Sequence, residues 1–162
     1  MGLIEYLKRK LERRKARRVT QEYSSTVQSF DLPAEGRVEF ANWDNPLVRP
    51  TQITQELVDF FKKFIRKGDM VIDIGANIGD TTIPIALTAG KEGVTLGFDP
   101  NPLVFKVLQH NATLNPSKQN IVPLRYAITV EEEEFYYVSS EASFGNGGIS
   151  PVKKSHHGKF VY

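Results

Sequence analysis

Asp73, Gly75, Asn77 and Gly79 stand at alternate positions in Val71-Ile-Asp-Ile-Gly-Ala-Asn-Ile-Gly79, and Asp99 follows twenty residues after Gly79. A carboxylate, bare backbone, a side-chain amide and a second carboxylate can together grip a ligand that carries both positive charge and hydroxyl groups. The elements that must position them are legible on either side. Met70, Val71, Ile72 and Ile74 predict a short buried strand that runs into the glycine turn. A helix must begin near Asp80 or Thr81, because Pro84 is tolerated only in a first turn. Strand, glycine turn and helix form a frame suited to an adenine-containing cofactor. A second apolar run, Val94-Thr-Leu-Gly-Phe98, ends at Asp99, where a carboxylate is placed to bind two ribose hydroxyls.

The turn is not built for a pyrophosphate. Dinucleotide sites use Gly-x-Gly-x-x-Gly so that bare backbone approaches the phosphates. Here Asn77 occupies the position of closest approach, and no glycine follows at the dinucleotide spacing. The string instead resembles the acid-x-Gly-x-Gly-x-Gly turn of class I S-adenosylmethionine-dependent methyltransferases, with Asn in the middle. That cofactor has a zwitterionic amino-acid tail and a sulfonium, which suit the Asp73 carboxylate and the Asn77 amide. Glycine turns without a cofactor recur in α/β proteins, so a nucleotide-binding or purely structural alternative stays open at this point.

The flanking segments organise around this turn. Residues 1–18 are helix-prone, with Leu3, Ile4, Leu7 and Leu11 on one face until Arg14, Lys15 and Arg18 interrupt the stripe. They fit either a solvated arm or a helix at an anionic membrane surface or on a partner. Residues 19–36 are polar and turn-rich and predict a linker. Val38 and Phe40 alternate with polar neighbours ahead of Trp43, a packing residue or a lip over the cofactor pocket. Residues 54–67 predict a helix with Leu57, Phe60, Phe61, Phe64 and Ile65 on its buried face, covering the sheet and closed by Gly68. Asn101 and Pro102 predict a capped helix start, with Leu103, Val104, Val107, Leu108 and Leu114 buried and Pro116 as the stop. Ile121–Leu124 and Phe135–Val138 read as further strands, the latter after the acidic turn Glu131–Glu134, and Gly145–Gly148 as a flexible loop.

Composition bounds the function class. The chain has 162 residues, 40% hydrophobic and 25% charged, and no cysteine. Disulfides, thiolate zinc sites and cysteine nucleophiles are excluded, and no metal site is expected. There is no bilayer-length apolar stretch and no signal-peptide core, which fits a cytoplasmic protein. Residues 1–18 hold eight basic and two acidic residues, a net of +6. With +2 for the whole chain, the remainder carries −4. That distribution argues against nucleic acid as a partner of the domain.

Beyond single residues, three strings carry a family resemblance. Val71-Ile-Asp-Ile-Gly-Ala-Asn-Ile-Gly79, Gly97-Phe-Asp-Pro-Asn-Pro102 and Leu108-x-x-Asn111-x-x-x-Asn115 resemble the FkbM family of S-adenosylmethionine-dependent methyltransferases over about residues 55–150. The resemblance implies a Rossmann-like, doubly wound α/β sheet. It also implies O-methylation of a sugar, lipid or small-metabolite hydroxyl, so the expected partner is a small-molecule, glycan or lipid acceptor. Carried over, Asp73, Gly75, Asn77 and Gly79 line the methionine end of the cofactor and Asp99 the ribose, while Asn101 and Ala127 border the adenine. Ala76 and Pro100, inside the same strings, complete the candidate cofactor-binding set. Asp80 departs from the family's aromatic or aliphatic residue and caps the helix or faces the ligand.

Two strings, Asp-Pro-Asn-Pro and Leu-x-x-Asn-x-x-x-Asn, also resemble tRNA guanine methyltransferases, which keeps an RNA methyltransferase as the rival. A non-catalytic cofactor-binding fragment is a second rival. The family's Lys-x-Asp-x-Glu-Gly strand has no counterpart here, and 38 residues follow Leu124, little more than one βα unit of roughly thirty. The expectation is therefore a basic helix and polar linker over 1–36 and a methyltransferase domain over 37–162 truncated after its third core strand and a hairpin. Peripheral membrane contact through residues 1–18 and an oligomer are both compatible with this layout. No catalytic base is assigned. Adjacent His156 and His157 read as solvent-exposed, His110 as a surface residue, and Glu141, Ser143 and Asn146 as either an acceptor-facing loop or a hairpin tip.

Overall fold

A computed structural model describes residues 2–130, 134–142 and 147–150, together with the backbone of 160–161. These fall into two compact units, one comprising Met1–Ser24, Asp44–Arg49 and Thr129–Tyr162, the other Ser25–Trp43 and Pro50–Ile128.

The second unit holds the motifs. Its centre is a three-stranded parallel sheet, β3 (Met70–Ile74), β4 (Val94–Phe98) and β5 (Ile121–Leu124), in that order. Helices α3 (Thr82–Ala89) and α4 (Pro102–Thr113) make the two crossovers, the βαβ arrangement that a parallel pair requires. Register aligns Ile74 with Phe98 and Phe98 with Leu124, so all three strands end level at one carboxyl edge. Positions 71, 73, 95, 97 and 121 share the face that α3 and α4 cover. A Cβ at Gly97 would meet Ala76, Thr82 and Leu108 at 3.4–3.6 Å, ordinary contact distances, so this position lies directly beneath the turn and both helices.

The opposite face corrects the predicted burial of β3. Met70, Ile72 and Ile74 are 70%, 57% and 66% exposed, although the apolar run reads as a buried strand. The alternation of a strand sends these three to the face away from α3 and α4. Helix α2 (Gln55–Phe61) is likewise shorter than the predicted 54–67 and packs on α3 instead of on the sheet. Its buried contacts are Val58 and the preceding Ile53, whereas Phe60 and Phe64 are exposed and meet edge to face. Thr54 caps α2 through Leu57 N, and Gly68, at φ +90°, turns the chain back toward β3.

A two-stranded antiparallel ribbon, β1 (Ser25–Leu32) and β2 (Gly36–Trp43), completes this unit. β1 lies where the composition predicts a linker. Its side chains are largely exposed, so its polar sequence carries no burial signal, and pairing with β2 makes the strand. β2 is the better buried of the two, with Val38, Phe40, Ala41 and Trp43 in the core, which gives Trp43 its packing role.

In the first unit, α1 (Leu3–Ala16) is exposed along its length except at Ala16. Strands β6 (Tyr136–Ser139), β7 (Gly147–Ser150) and β8 (Phe160–Val161) form a small antiparallel sheet in the order β7-β6-β8. Gly147 and Gly148, expected in a loop, thus belong to β7, opposite Ser139 and Val138. Ser143, Asn146, His156, His157 and most of the acidic turn lie outside the described residues. No helix among the described residues is long and apolar enough to cross a membrane.

Candidate functional site

The turn after β3 is held to β4 by backbone and to Asp99 by side chain. Gly75 N and Ala76 N both donate to Phe98 O at 2.9 Å, and Asp99 N donates to Leu124 O at 3.1 Å, so the three strand ends are tied in series. Asp99 Oδ2 then accepts from Asn77 N and Oδ1 from Asn101 N, each at 2.9 Å. One buried carboxylate therefore fixes the glycine turn and the start of α4 together. Asn101 in turn caps α4, its side chain accepting from Leu103 N and Val104 N, with Pro102 at the first helical position.

The turn has the backbone its residue types permit. Gly75 and Gly79 have φ of +81° and +97°, and Asn77 has φ +50°, in the left-handed region that Asn tolerates better than other side-chain-bearing residues. The two glycines differ in surroundings. A Cβ on Gly79 would meet Leu108 Cδ1 at 3.2 Å, whereas one on Gly75 would meet nothing within 4 Å. Gly79 admits the packing of α4, and Gly75 leaves open space at the carboxyl edge. Ala76 and Ile78 point into the core while Asn77 is exposed.

Asp73 is placed differently from its expected role. Its Oδ2 accepts a hydrogen bond from Thr82 Oγ1 at 2.7 Å, so the carboxylate also ties the strand end to the first turn of α3. Thr82 is fully buried, and sequence reasoning missed it; the available signal was a hydroxyl in the first turn of the helix that follows the motif. The cap position of α3 is Thr81, which makes no side-chain cap, while the Asp80 carboxyl accepts from its own N–H and from that of Thr81. Burial pushes the Asp80 carboxyl above its ordinary value, its own N–H and that of Thr81 act against this, and the Asp73 charge adds to it. Burial likewise raises Asp99, opposed by the Asn101 and Asn77 N–H groups and assisted by Asp73. Burial is the larger cause at both carboxyls, and the Asp73 charge a lesser one. Half-buried Pro100 joins Asp99 to Asn101, and half-buried Ala127 lies three residues past the end of β5 at the same edge.

Residues flagged outside the turn have structural partners. His110 Nδ1 meets Ser25 Oγ at 2.9 Å. Glu141 pairs with Arg17 at 3.4 Å within the first unit. Asn111 and Asn115 are buried and bond the backbone of β2.

No protein-family model matches the chain. A stretch of 58 residues is 41% identical to the tRNA (guanine(37)-N(1))-methyltransferase of Danio rerio, covering 35% of this chain and 11% of that protein. Among solved structures, the M. jannaschii tRNA m1G37 methyltransferase is similar over 70% of this chain and 34% of its own, at 19% identity and a TM-score of 0.46. P. horikoshii TYW2 in complex with MeSAdo is similar over 68% of this chain and 39% of its own, at 18% identity and a TM-score of 0.47. The curated relative overturns the expectation that nucleic acid is not a partner, since its name is that of an enzyme acting on tRNA. The physical fault lay in averaging: the −4 of residues 19–162 says nothing of the local field of a segment carrying +6.

Proposed function

We propose that this chain carries the cofactor-binding part of an S-adenosylmethionine-dependent methyltransferase of Rossmann-like fold whose acceptor is RNA, of the tRNA class. The observation that carries the cofactor reading is the Asp99 carboxylate, which joins the glycine turn to the start of α4 at the level ends of three parallel strands. The crevice outside the carboxyl ends of such strands is where open α/β sheets bind ligands. The acceptor reading rests on the 41% identity to a tRNA methyltransferase.

The residues fit this cofactor on two counts. Open space at the Gly75 Cβ position lets a ligand approach bare backbone. The raised Asp80 and Asp99 carboxyls, each burdened further by Asp73, favour a ligand bearing cationic centres. Asp99 would bind the ribose hydroxyls with the lone pairs left after its two backbone bonds. Asp73, Gly75, Ala76 and Asn77 would hold the methionine end, with Gly79 packing the turn against α4 behind them, and Pro100, Asn101 and Ala127 would border the adenine. When bound, S-adenosylmethionine supplies a methyl group whose in-line transfer is limited mainly by alignment. Thr82 serves that alignment by fixing Asp73, and Asp99 serves it by locking turn to helix.

Titration calorimetry with S-adenosylhomocysteine tests the cofactor site. Asp99→Ala removes the carboxylate proposed to hold the ribose, a charge-assisted contact worth about 1.5–3 kcal/mol, and should weaken binding by about tenfold or more. Unchanged affinity would remove Asp99 from the site, and no binding by the native chain would end the cofactor reading. Methyl transfer from labelled cofactor to tRNA, compared with glycan and lipid acceptors, tests the substrate class. The FkbM-like string Asp73–Gly79 supports O-methylation as the second reading, and preferential transfer to a hydroxyl acceptor would favour it.

A further inference from the structure

From one face of α1 we infer that the N-terminal helix is a phosphate-contacting arm for single-stranded or loop RNA, an inference that rests on the RNA reading above. Arg9, Lys10, Arg13, Arg14, Arg17 and Arg18 line a single open groove, with Tyr6 at its N-terminal end. Their spacing of three and four residues places them on one side of the helix. From Arg9 to the end of α1 at Ala16 this face rises roughly 10 Å at 1.5 Å per residue, and its cations continue through Arg17 and Arg18, enough groups for about four phosphate contacts.

The chemistry of the face selects the partner. Five of the six groups named are guanidinium forks, which match phosphate oxygens in a planar, bidentate way that an ammonium cannot. Tyr6 is half exposed beside them and offers a ring on which an unpaired base can stack. Within the chain, Arg17 is answered by Glu141 at 3.4 Å, a single contact from an exposed guanidinium to a partly buried carboxylate, for which a phosphate can compete. A membrane-lying helix instead needs an apolar stripe along its length. Here the exposed Leu3, Ile4, Leu7 and Leu11 stop at the third turn, and Arg13, Arg14, Lys15, Arg17 and Arg18 continue alone. Burial does not explain the basic face either, since Ala16 is the one buried residue of α1.

The test is fluorescence anisotropy of the full chain with a labelled transcript of a tRNA and with a labelled uridine oligomer, repeated over a salt series. With about four phosphate contacts, affinity should fall roughly 50-fold between about 50 and 200 mM salt. Lys10→Gln/Arg13→Gln/Arg14→Gln keeps good helix formers and removes three contacts, so its fall should shrink to about threefold. Circular dichroism and S-adenosylhomocysteine titration of the same samples report folding and the cofactor site. RNA binding that is absent, or that keeps its salt slope in the triple variant, overturns the arm. If homocysteine-ligand binding is intact in that case, the cofactor reading survives its loss; a steep, variant-sensitive slope without ligand binding supports the arm and fails the cofactor site. Salt-sensitive capture by phosphatidylserine vesicles with no RNA binding would assign the face to a membrane instead and likewise overturn the inference.

Discussion

Asn111, fully buried on α4, clamps the Ala41 peptide of β2 from both sides: its Oδ1 accepts from Ala41 N at 2.7 Å and its Nδ2 donates to Ala41 O at 3.0 Å. The same Nδ2 donates to Ile78 O at 2.7 Å, inside the glycine turn. Four residues later and past the end of α4, Asn115 repeats the clamp on Glu39, accepting from its N at 2.7 Å and donating to its O at 2.8 Å. Residues 39 and 41 point their backbone groups to the same edge of β2, so the two amides act as a substitute strand. The Leu-x-x-Asn-x-x-x-Asn string is thus a brace between ribbon, helix and cofactor turn.

Asn111→Ala should therefore be among the most damaging single changes in the chain. It strands the buried N–H and C=O of Ala41 and the C=O of Ile78, and an unsatisfied buried polar group costs about 1–3 kcal/mol. Because the partners are backbone, no apolar replacement can remove them, so Asn111→Leu should fare no better. Urea denaturation should show a loss of about 3 kcal/mol or more, and a loss under about 1 kcal/mol would mean that water replaces the amide.

The two glycines of the turn should separate stability from binding. Gly79→Ala forces a side chain into φ +97° and against Leu108 at 3.2 Å, so the melting temperature should fall by an amount equivalent to about 1–3 kcal/mol. Gly75→Ala meets open space and bears only the backbone cost of φ +81°, about 1–2 kcal/mol. Its methyl group projects where the ligand is proposed to lie, so affinity for S-adenosylhomocysteine should fall far more than stability does. Equal loss of affinity in the two variants, after correction for unfolding, would count against that placement.

What could be read from the sequence was what local chemistry decides. Asn101-Pro102 announced the start of α4 because a cap and a fixed φ act within one turn, and Ile121–Leu124 is a strand as expected. Apolar periodicity told less about burial. The stripe on α2 continues to Ile65, yet the helix ends at Phe61 and leaves Phe60 and Phe64 exposed, because a pattern identifies a face and not what covers it. The same limit applies to Met70, Ile72 and Ile74. β1 was invisible because its order comes from pairing with β2 and not from burial. The Asn111 clamp joins groups 70 residues apart, and the Asp73–Thr82 bond depends on how α3 lies against the strand. Asp99 was found as a ligand candidate, but its bonds to Asn77 N and Asn101 N, which make it a structural joint as well, needed the folded turn.

Stability should also respond to Asp80 in a definite direction with pH. Its folded carboxyl titrates above its ordinary value, so the native state binds its proton more tightly than the unfolded chain does. The associated stability is present below the ordinary carboxylate range and is lost as pH rises through the raised value. Asp80→Asn removes the buried charge and should raise the melting temperature at neutral pH. The gap should close as the medium is acidified and the native carboxyl protonates. A gap that is constant with pH would assign the effect to hydrogen bonding and not to charge.

Cofactor discrimination should follow the same carboxylates with the opposite dependence. S-adenosylmethionine carries a sulfonium that S-adenosylhomocysteine lacks, and only ionised Asp73, Asp80 and Asp99 attract it. Unit charges about 4 Å apart interact by about 1–4 kcal/mol between water-like and partly buried surroundings, enough for roughly tenfold discrimination or more. As pH falls, Asp80 and Asp99 take up protons earlier than ordinary carboxylates do, because burial and the Asp73 charge raise both. The preference for the sulfonium form should therefore decline on acidification, starting above the usual carboxylate range, while homocysteine-ligand affinity declines less. Parallel calorimetric titrations of the two ligands across pH measure this directly. In Asp80→Asn the preference should be smaller at neutral pH and flatter with acidification. A preference independent of pH in the native chain would show that the three carboxylates do not face the sulfonium, leaving Asp73 and Asp99 only the structural roles seen at Thr82, Asn77 and Asn101.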